Sequence, residues 1–296
     1  MLDRESTFNN SDIVNLLQNK FIPVAIDQAY QRRQKDNEGD FYRKIANQGP
    51  RKVGKGTTQG LYVADSNGKL LGYTNNRGAE RVLKMMKTAV VSHQKQKVNI
   101  IRKGKPDSRY NPNPPEGGLV IRVTTKILGG YEDTENEYRK IMQKSIGRDN
   151  LWITAKEKEA LKKDEIPESF LRRLIRFHLV DNTRGEPSMW KKEDIRKVTS
   201  SLVDGKFNAS VSLRNQNGDR GFETMLKGII KLNNNEITQF DLVAKGSYWG
   251  EGKYTRNAPK NRFPLAVAFT LADGRNVTDE IPPQGSRGWV KGYIDG

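Results

Sequence analysis

Apolar and polar side chains alternate in Lys206-Phe207-Asn208-Ala209-Ser210-Val211-Ser212-Leu213-Arg214. A period of two residues is typical of a β-strand with one buried and one solvated face. Asn217-Gly218 then marks a turn, and apolar residues recur in three further runs, Leu226–Leu232, Ile237–Ala244 and Leu265–Leu271. Short strands separated by turn residues indicate that residues 201–296 form an antiparallel β-rich domain.

Upstream of this domain, residues 119–200 combine one strand with helices. Leu119–Ile127 alternates in the same way as the later strands. Thr154 and Glu157 have the spacing of a capping box, which predicts a helix through Lys163. We expect a second helix from Pro167 to Leu179 and a short third one over Glu193–Val198.

The first 98 residues have the pattern of a small α/β domain. The apolar spacing and turn residues predict five elements in the order helix Ser11–Lys20, buried strand Phe21–Ile26, helix Gly39–Ala46, a hairpin of Leu61–Ala64 with Leu70–Tyr73, and helix Arg77–Gln96. Residues 99–118 are rich in proline, glycine and basic residues, and they predict a linker or an exposed loop.

Two segments of this region carry a resemblance to a known family. Arg4–Leu17 followed by Phe21-Ile22-Pro23-Val24-Ala25-Ile26-Asp27 resembles the segment after the redox motif in bacterial thioredoxin-like proteins of the DUF255 and thiol:disulfide interchange type. The turn around Asn67-Gly68 is similar to the D-x-D-G-K region of that family. The resemblance covers residues 1–95 and implies a thioredoxin-like α/β domain.

This domain departs from the family pattern at its active site. The first strand and the C-x-x-C motif are missing, and Gln59 stands where the family usually has a cis-proline. The resemblance therefore implies an incomplete or divergent domain that is redox-inactive. The alternative is a thioredoxin-like oxidoreductase whose C-x-x-C segment lies upstream of Met1.

Composition excludes several classes of chemistry. The 296 residues include no cysteine and only His93 and His178, so disulfide, thiolate and most histidine-based catalysis are excluded. We expect no catalytic residue, no metal and no cofactor.

No apolar run is long enough to cross a bilayer. The chain is expected to be soluble, and to lie in the cell envelope or outside the cell if a signal has been removed.

The net charge of +17 is concentrated in one region. Residues 51–105 carry 13 basic side chains against Asp65 and Glu80, a net charge of +11. The candidate anion-binding residues in this region are Arg51, Lys52, Lys55, Arg102, Lys103 and Lys105. Such a surface attracts an acidic protein, an anionic cell-surface polymer or a nucleic acid. The alternative is a solvated charged surface without a partner.

Aromatic and cationic residues are interleaved in the loop Gly246–Arg256. The candidate ligand residues are Tyr248, Trp249, Lys253, Tyr254 and Arg256. Aromatic rings stack on planar ligands while cations bind phosphate, which indicates a ligand loop. The alternative is that the aromatic rings close the open end of the sheet.

A second polar loop, Asp181–Glu186, has oxygen ligands suited to calcium but lacks the spacing of an EF-hand. The alternative is an ordinary turn in which Asp181 binds its own backbone.

Together these patterns predict an α+β protein in which a thioredoxin-like domain is followed by a helical segment and an antiparallel β-rich domain. The predicted function is non-catalytic binding or scaffolding, with a basic surface for an anionic partner.

Overall fold

The computed structural model describes residues 2–93, 97 and 104–296, and the chain forms two compact units. The N-terminal unit is Asp3–Pro112, and the C-terminal unit contains Asn113–Gly296. Helices and antiparallel strands are both present, so the chain is of the α+β class, as its sequence patterns predict.

Five helices and a hairpin are described in the N-terminal part of the chain. They are α1 (Leu2–Ser6), α2 (Ser11–Lys20), α3 (Gln28–Gln31), α4 (Asn37–Ala46), β1 (Leu61–Ala64), β2 (Leu70–Thr74) and α5 (Ala79–Ser92). The side chain of Asn10 caps α2 by accepting the backbone N–H of Ile13 at 3.2 Å. The strands β1 and β2 form a two-stranded antiparallel sheet. The predicted end of α5 at residues 94–96 lies outside the described residues.

The core of the N-terminal unit is formed where α2 and α5 meet the hairpin. Ile13, Val82 and Met86 are buried, and Leu61 and Val63 of β1 pack against them. These positions are the apolar stripes that helical spacing predicts for α2 and α5. A second contact joins α4 to the segment that leads into the hairpin, because the Tyr42 hydroxyl lies 2.6 Å from the Thr58 hydroxyl in a buried hydrogen bond.

The predicted buried strand Phe21–Ile26 is not a strand. Its residues pair with no other strand among the described residues, and Ile22 and Val24 are 91% and 72% exposed. Only Phe21 packs against the core. A strand that is apolar on both faces needs neighbouring strands and covering layers, and the two-stranded sheet supplies neither here. The resemblance to thioredoxin-like proteins stays a prediction.

The C-terminal unit is built on a seven-stranded antiparallel sheet with strand order β4-β3-β9-β8-β7-β6-β5. Its strands are β3 (Leu119–Ile127), β4 (Gly147–Ile153), β5 (Ile195–Val203), β6 (Lys206–Arg214), β7 (Gly221–Asn233), β8 (Glu236–Trp249) and β9 (Phe263–Leu271). Its helices are α6 (Glu137–Lys144), α7 (Ala155–Leu161), α8 (Glu168–Arg173), which continues as a π-helical turn to His178, and α9 (Val290–Ile294).

One face of this sheet packs against α7, α8 and the π-helical turn. In β6 the apolar members of the alternating run, from Phe207 to Leu213, are buried in the main core. Phe170 of α8 contacts Phe240 of β8 edge to face, with ring centroids 6.3 Å apart. Every second side chain of these strands therefore packs in the core, and the side chains between them lie on the opposite face of the sheet.

Two predictions for the C-terminal half are wrong. No domain boundary lies at residue 200, because β9 pairs with both β3 and β8 and so joins residues 119–127 to the later strands in one sheet. The predicted helix Glu193–Val198 is only a three-residue turn, Lys192–Asp194, followed by β5. Ile195, Val198 and Val203 are β-branched and favour the strand that pairs with β6. The strand β4 was not predicted.

The predicted linker 99–118 is in part docked on the N-terminal unit. The backbone N–H of Asp107 donates to Asp36 Oδ2 at 2.8 Å, and Asp107 Oδ2 accepts the backbone N–H of Lys35 at 2.8 Å. These two bonds hold the segment that follows residue 104 against the connection between α3 and α4. The unit boundary follows at Pro112, inside the predicted range.

Candidate anion-binding site

The opposite face of the sheet exposes polar and charged side chains on β6 to β9. We call this surface the open face; its residues include Asn208, Ser210, Glu223, Met225, Lys227, Val243, Lys245 and Thr270. All of them alternate with buried residues, so their outward position follows from the period of the strands. The most strongly charged part lies at one end of β6, β7 and β8.

Trp249 forms the floor of this end. Arg214, Gly221 and Trp249 lie side by side on β6, β7 and β8. The indole lies across Gly221, where a Cβ atom would be 2.1 Å from the ring, so only glycine fits beneath it. The indole N–H donates to the carbonyl of Gly218 at 3.0 Å, which fixes the ring in the plane of the sheet surface.

Three arginines surround the indole and form an open groove of about 400 Å³, which we call the arginine groove. The guanidinium of Arg262 stacks on Trp249, 3.8 Å from the ring centroid. Arg196 donates from Nε to the carbonyl of Arg214 at 3.1 Å, which ties the edge strand β5 to the rim of the groove. The side chain of Arg214, on the neighbouring strand β6, extends over Gly218.

The groove carries an excess of positive charge. Arg262 pairs with Glu223 at 2.8 Å, and the hydrogen bonds from Arg262 lower the pKa of the Glu223 carboxyl. Glu223 is therefore ionised and offsets one of the three guanidinium charges. Among the described residues no carboxylate forms an ion pair with Arg196 or Arg214. Two guanidinium groups are left to bind an anion.

Only Trp249 of the five predicted loop residues lines this groove. Tyr248 points to the other face and is 2% exposed, with its ring centroid 5.5 Å from that of Phe222 and 5.4 Å from that of Phe263. Burial raises the pKa of Tyr248 to about 12. The prediction of Tyr248 as a ligand residue is wrong, because it closes the end of the core as the alternative interpretation states.

The other three predicted loop residues, Lys253, Tyr254 and Arg256, are exposed and do not line the groove. The ammonium of Lys253 is 5.3 Å from the ring centroid of Tyr254, which is 59% exposed. Arg256 has an exposed side chain, while its carbonyl accepts a hydrogen bond from Arg184 at 3.0 Å. These three residues stay candidate ligand residues, and their side chains are open to solvent.

The predicted basic residues of the N-terminal unit lie on two segments, and both segments contact the connection between α3 and α4. Lys52 and Lys55 are exposed in a loop whose Gly56 carbonyl accepts a hydrogen bond from Arg32 at 2.8 Å. Lys105 is exposed two residues before Asp107, which is bound to the backbone of residue 35. Arg51 is half-buried. Arg102 and Lys103 lie outside the described residues.

The loop Asp181–Glu186 is a buried structural turn. Asp181 Oδ1 accepts the backbone N–H of Thr183 at 3.1 Å, which is the predicted turn, and Asp181 Oδ2 pairs with Arg184. Both side chains are 1% exposed. The carboxylate is thus saturated by protein donors. Among the described residues, no group of three or more carboxylate or histidine side chains is arranged to hold a metal ion.

Comparisons with known proteins add no family. A scan against protein-family models and searches of curated proteins and of solved structures found no match to this chain. Within the part of the chain that the structure describes, no helix combines the length and the apolar character needed to cross a membrane.

The sequence pattern missed three of these residues: Arg196, Arg214 and Arg262. A signal was present for Arg214, because it occupies an outward position of the alternating run Lys206–Arg214. The other two come from β5, which was predicted as a helix, and from a loop that precedes β9.

Proposed function

We propose that this protein is a non-catalytic binding protein that holds an anionic partner in the arginine groove. The observation that supports this proposal is the pair Arg196 and Arg214, two exposed guanidinium groups beside Trp249 that form no ion pair with the described residues. Unpaired cations gathered on one rim repel one another, and an anion relieves this repulsion.

The groove is suited to oxyanions such as carboxylate, phosphate or sulfate. A guanidinium group presents two parallel N–H donors that match two oxygens of such a group. The stacking of Arg262 on Trp249 and the bond of Arg196 to the Arg214 carbonyl hold two of the three groups in place before binding. Such preorganisation reduces the entropy cost of binding.

The basic residues of the N-terminal unit support the same function by a different route. Lys52, Lys55 and Lys105 are exposed and add to the net charge of +17. At about 0.1 M ionic strength a charge of this size attracts anions over about 10 Å, and it raises the rate of association. The groove supplies the specific contacts.

The test measures binding of fluorescein-labelled polyglutamate, heparin and a single-stranded oligothymidylate by anisotropy at several NaCl concentrations. The logarithm of the association constant should fall linearly with the logarithm of the salt concentration. The double variant Arg196→Gln/Arg214→Gln should bind at least one of these polyanions at least tenfold more weakly, because even one lost charged hydrogen bond is worth about 1.5–3 kcal/mol.

The matched control removes the same charge from the other side of the sheet. Lys156 lies in α7 and Lys163 just after it, and both are exposed. Lys156→Gln/Lys163→Gln should change affinity only through the lower net charge. Equal losses in the two double variants would show that the groove makes no specific contact, and the proposal would be wrong.

A further inference from the structure

Aliphatic and cationic side chains are interleaved on the open face next to the arginine groove. Met225 pairs with Lys245 across β7 and β8, and Lys227 pairs with Val243 in the next outward row. Met225 and Val243 are 56% and 47% exposed. The four side chains form a small checkerboard in which each aliphatic group has a lysine beside it.

The aliphatic surface continues on both sides of these residues. Ile229 follows Lys227 on β7, and Ala266 and Ala268 of β9 lie opposite Lys245 and Val243. All three are half-buried. We call Met225, Ile229, Val243, Ala266 and Ala268 the apolar strip.

The lysines of the checkerboard form no ion pair in the described part of the chain. Neither Lys227 nor Lys245 forms an ion pair or a side-chain hydrogen bond with a described residue. Two carboxylates share this face: Glu223 is bound to Arg262, and Asp241, which lies opposite Ile229 in the next row, accepts a hydrogen bond from Gln239. Lys227, Lys245 and the arginine groove outnumber these two carboxylates, so the strip lies in a surface with an excess of positive charge.

This combination selects among the classes of anionic partner. Nucleic acids bind sheet surfaces by stacking bases on exposed aromatic rings, but Trp249, the aromatic ring of the described open face, is covered by Arg262. Sulfated or phosphorylated polymers have no aliphatic side chains to cover Met225 and Val243. An acidic protein segment with an apolar stripe supplies both carboxylates for the lysines and apolar groups for the strip.

We propose that the open face binds an acidic amphipathic helix of a partner protein, with its apolar stripe on the apolar strip and its carboxylates on Lys227, Lys245 and the arginine groove. Residues two apart on a strand are about 7 Å apart, and helical positions i and i+4 are about 6 Å apart. The rows of the strip thus match the turns of a helix laid along the strands. This inference rests on the proposed function, since the groove binds the same acidic segment.

The experiment uses the full chain and three labelled probes: an 18-residue amphipathic peptide of leucine, alanine and glutamate, a peptide of the same composition in scrambled order, and an 18-nucleotide oligothymidylate. The amphipathic peptide should bind at least tenfold more tightly than the scrambled one. Met225→Ser/Val243→Ser should remove this preference and leave oligothymidylate binding unchanged. Lys227→Gln/Lys245→Gln should weaken both peptides.

Val91→Ser/Val277→Ser is the matched control, because both valines are exposed, at 87% and 79%, and neither lies on the strands β6 to β9 that form the open face. Thermal unfolding shows whether each variant is folded, and the substituted residues are all on the surface. Equal binding of the two peptides, tighter binding of the oligothymidylate, or an unchanged preference in Met225→Ser/Val243→Ser would overturn this inference.

The two proposals fail in different ways. If the peptide preference is absent but Arg196→Gln/Arg214→Gln still weakens polyanion binding, the acidic helix is wrong and the anion-binding function stands. If Arg196→Gln/Arg214→Gln changes the binding of no probe, the proposed function itself is wrong.

Discussion

The guanidinium of Arg262 lies 3.8 Å from the centroid of the Trp249 indole, and the opposite side of that indole lies against Gly221. The ring is thus held between a backbone and a cation. Glu223 binds Arg262 from the side at 2.8 Å. The position of the indole in the arginine groove therefore depends on Gly221, which has no side chain. Adding one methyl group at this residue tests the geometry of the groove.

Gly221→Ala should displace the indole of Trp249. The new Cβ would lie 2.1 Å from the ring, so the indole must move and Arg262 loses its stacking partner. Overpacking of this kind costs about 1–3 kcal/mol. In a Trp289→Phe background, which removes an indole that is 66% exposed, the tryptophan emission should shift to longer wavelength and polyanion binding should weaken.

Gly288→Ala is the control for this substitution, since a Cβ there has nothing within 4 Å. It should leave emission and binding unchanged. If Gly221→Ala also leaves both unchanged, the indole does not rest on Gly221 in solution.

Arg214→Gln should reduce quenching of Trp249 fluorescence by iodide. Iodide is an anion and is concentrated near the indole by the charges of the groove, whereas acrylamide is neutral. Loss of one charge about 8 Å away changes the local iodide concentration about twofold in water. The measurement compares iodide and acrylamide quenching constants in the Trp289→Phe background, with Lys163→Gln as the control. A parallel fall in both constants would mean that the ring has been covered rather than that charge has been lost.

The sequence pattern predicts the sheet well because burial of alternate residues is a local property. In β6 every apolar position predicted to face inward is buried, and Arg214 at the end of the run faces outward. Strand order is not local. The pairing of β9 with β3 connects residues about 140 positions apart, and no turn signal records it. For this reason the predicted boundary at residue 200 fails.

The groove shows the same division between local and non-local information. Trp249 is conspicuous in sequence as an aromatic residue at a strand end, and it does line the groove. Arg196 and Arg262 reach it only because β5 and the loop before β9 come to the same end of the sheet. Their approach depends on strand order, so spacing in the sequence does not reveal it.

Glu157→Gln should strongly destabilise the C-terminal unit. The sequence predicts Glu157 as the capping-box partner of Thr154, and the structure adds a buried ion pair with Arg173, whose side chain is 0% exposed. Loss of the carboxylate leaves a buried guanidinium uncompensated, which costs about 3–5 kcal/mol. All four tryptophans lie in this unit, so urea unfolding followed by tryptophan fluorescence measures the loss.

The double variant Glu157→Gln/Arg173→Met should be more stable than Glu157→Gln alone, because the unpaired charge is removed as well. If the double variant loses the sum of both single effects, the two side chains do not interact.

The same ion pair should make the unfolding free energy depend on pH. Burial raises the pKa of the Glu157 carboxyl, and the charge and hydrogen bond of Arg173 lower it. The lowering effects are together larger, so the pKa lies below the ordinary value of 4.5. A carboxyl with a lowered pKa in the folded state stabilises the fold above 4.5 and loses this effect as the pH falls through the folded-state pKa. Urea unfolding of the parent between pH 7 and pH 3 should show this loss, and it should be smaller in Glu157→Gln/Arg173→Met.

Asp107→Asn should release the segment that carries Lys105 from the N-terminal unit. Asp107 Oδ2 accepts the backbone N–H of Lys35, and this hydrogen bond lowers the pKa of the Asp107 carboxyl below 3.8. The carboxylate therefore holds the segment at neutral pH, and the contact should weaken only when the pH falls below 3.8 and through the folded-state pKa. An amide oxygen is a weaker acceptor, so the Lys35 N–H should exchange several-fold faster in the variant, and trypsin should cleave after the exposed Arg109 more rapidly.

Asp133→Asn, a substitution at an exposed residue of the other unit, should change neither rate. An unchanged exchange rate at Lys35 in Asp107→Asn would show that the cationic segment is held by other contacts, and that its position beside residues 32–36 does not depend on this carboxylate.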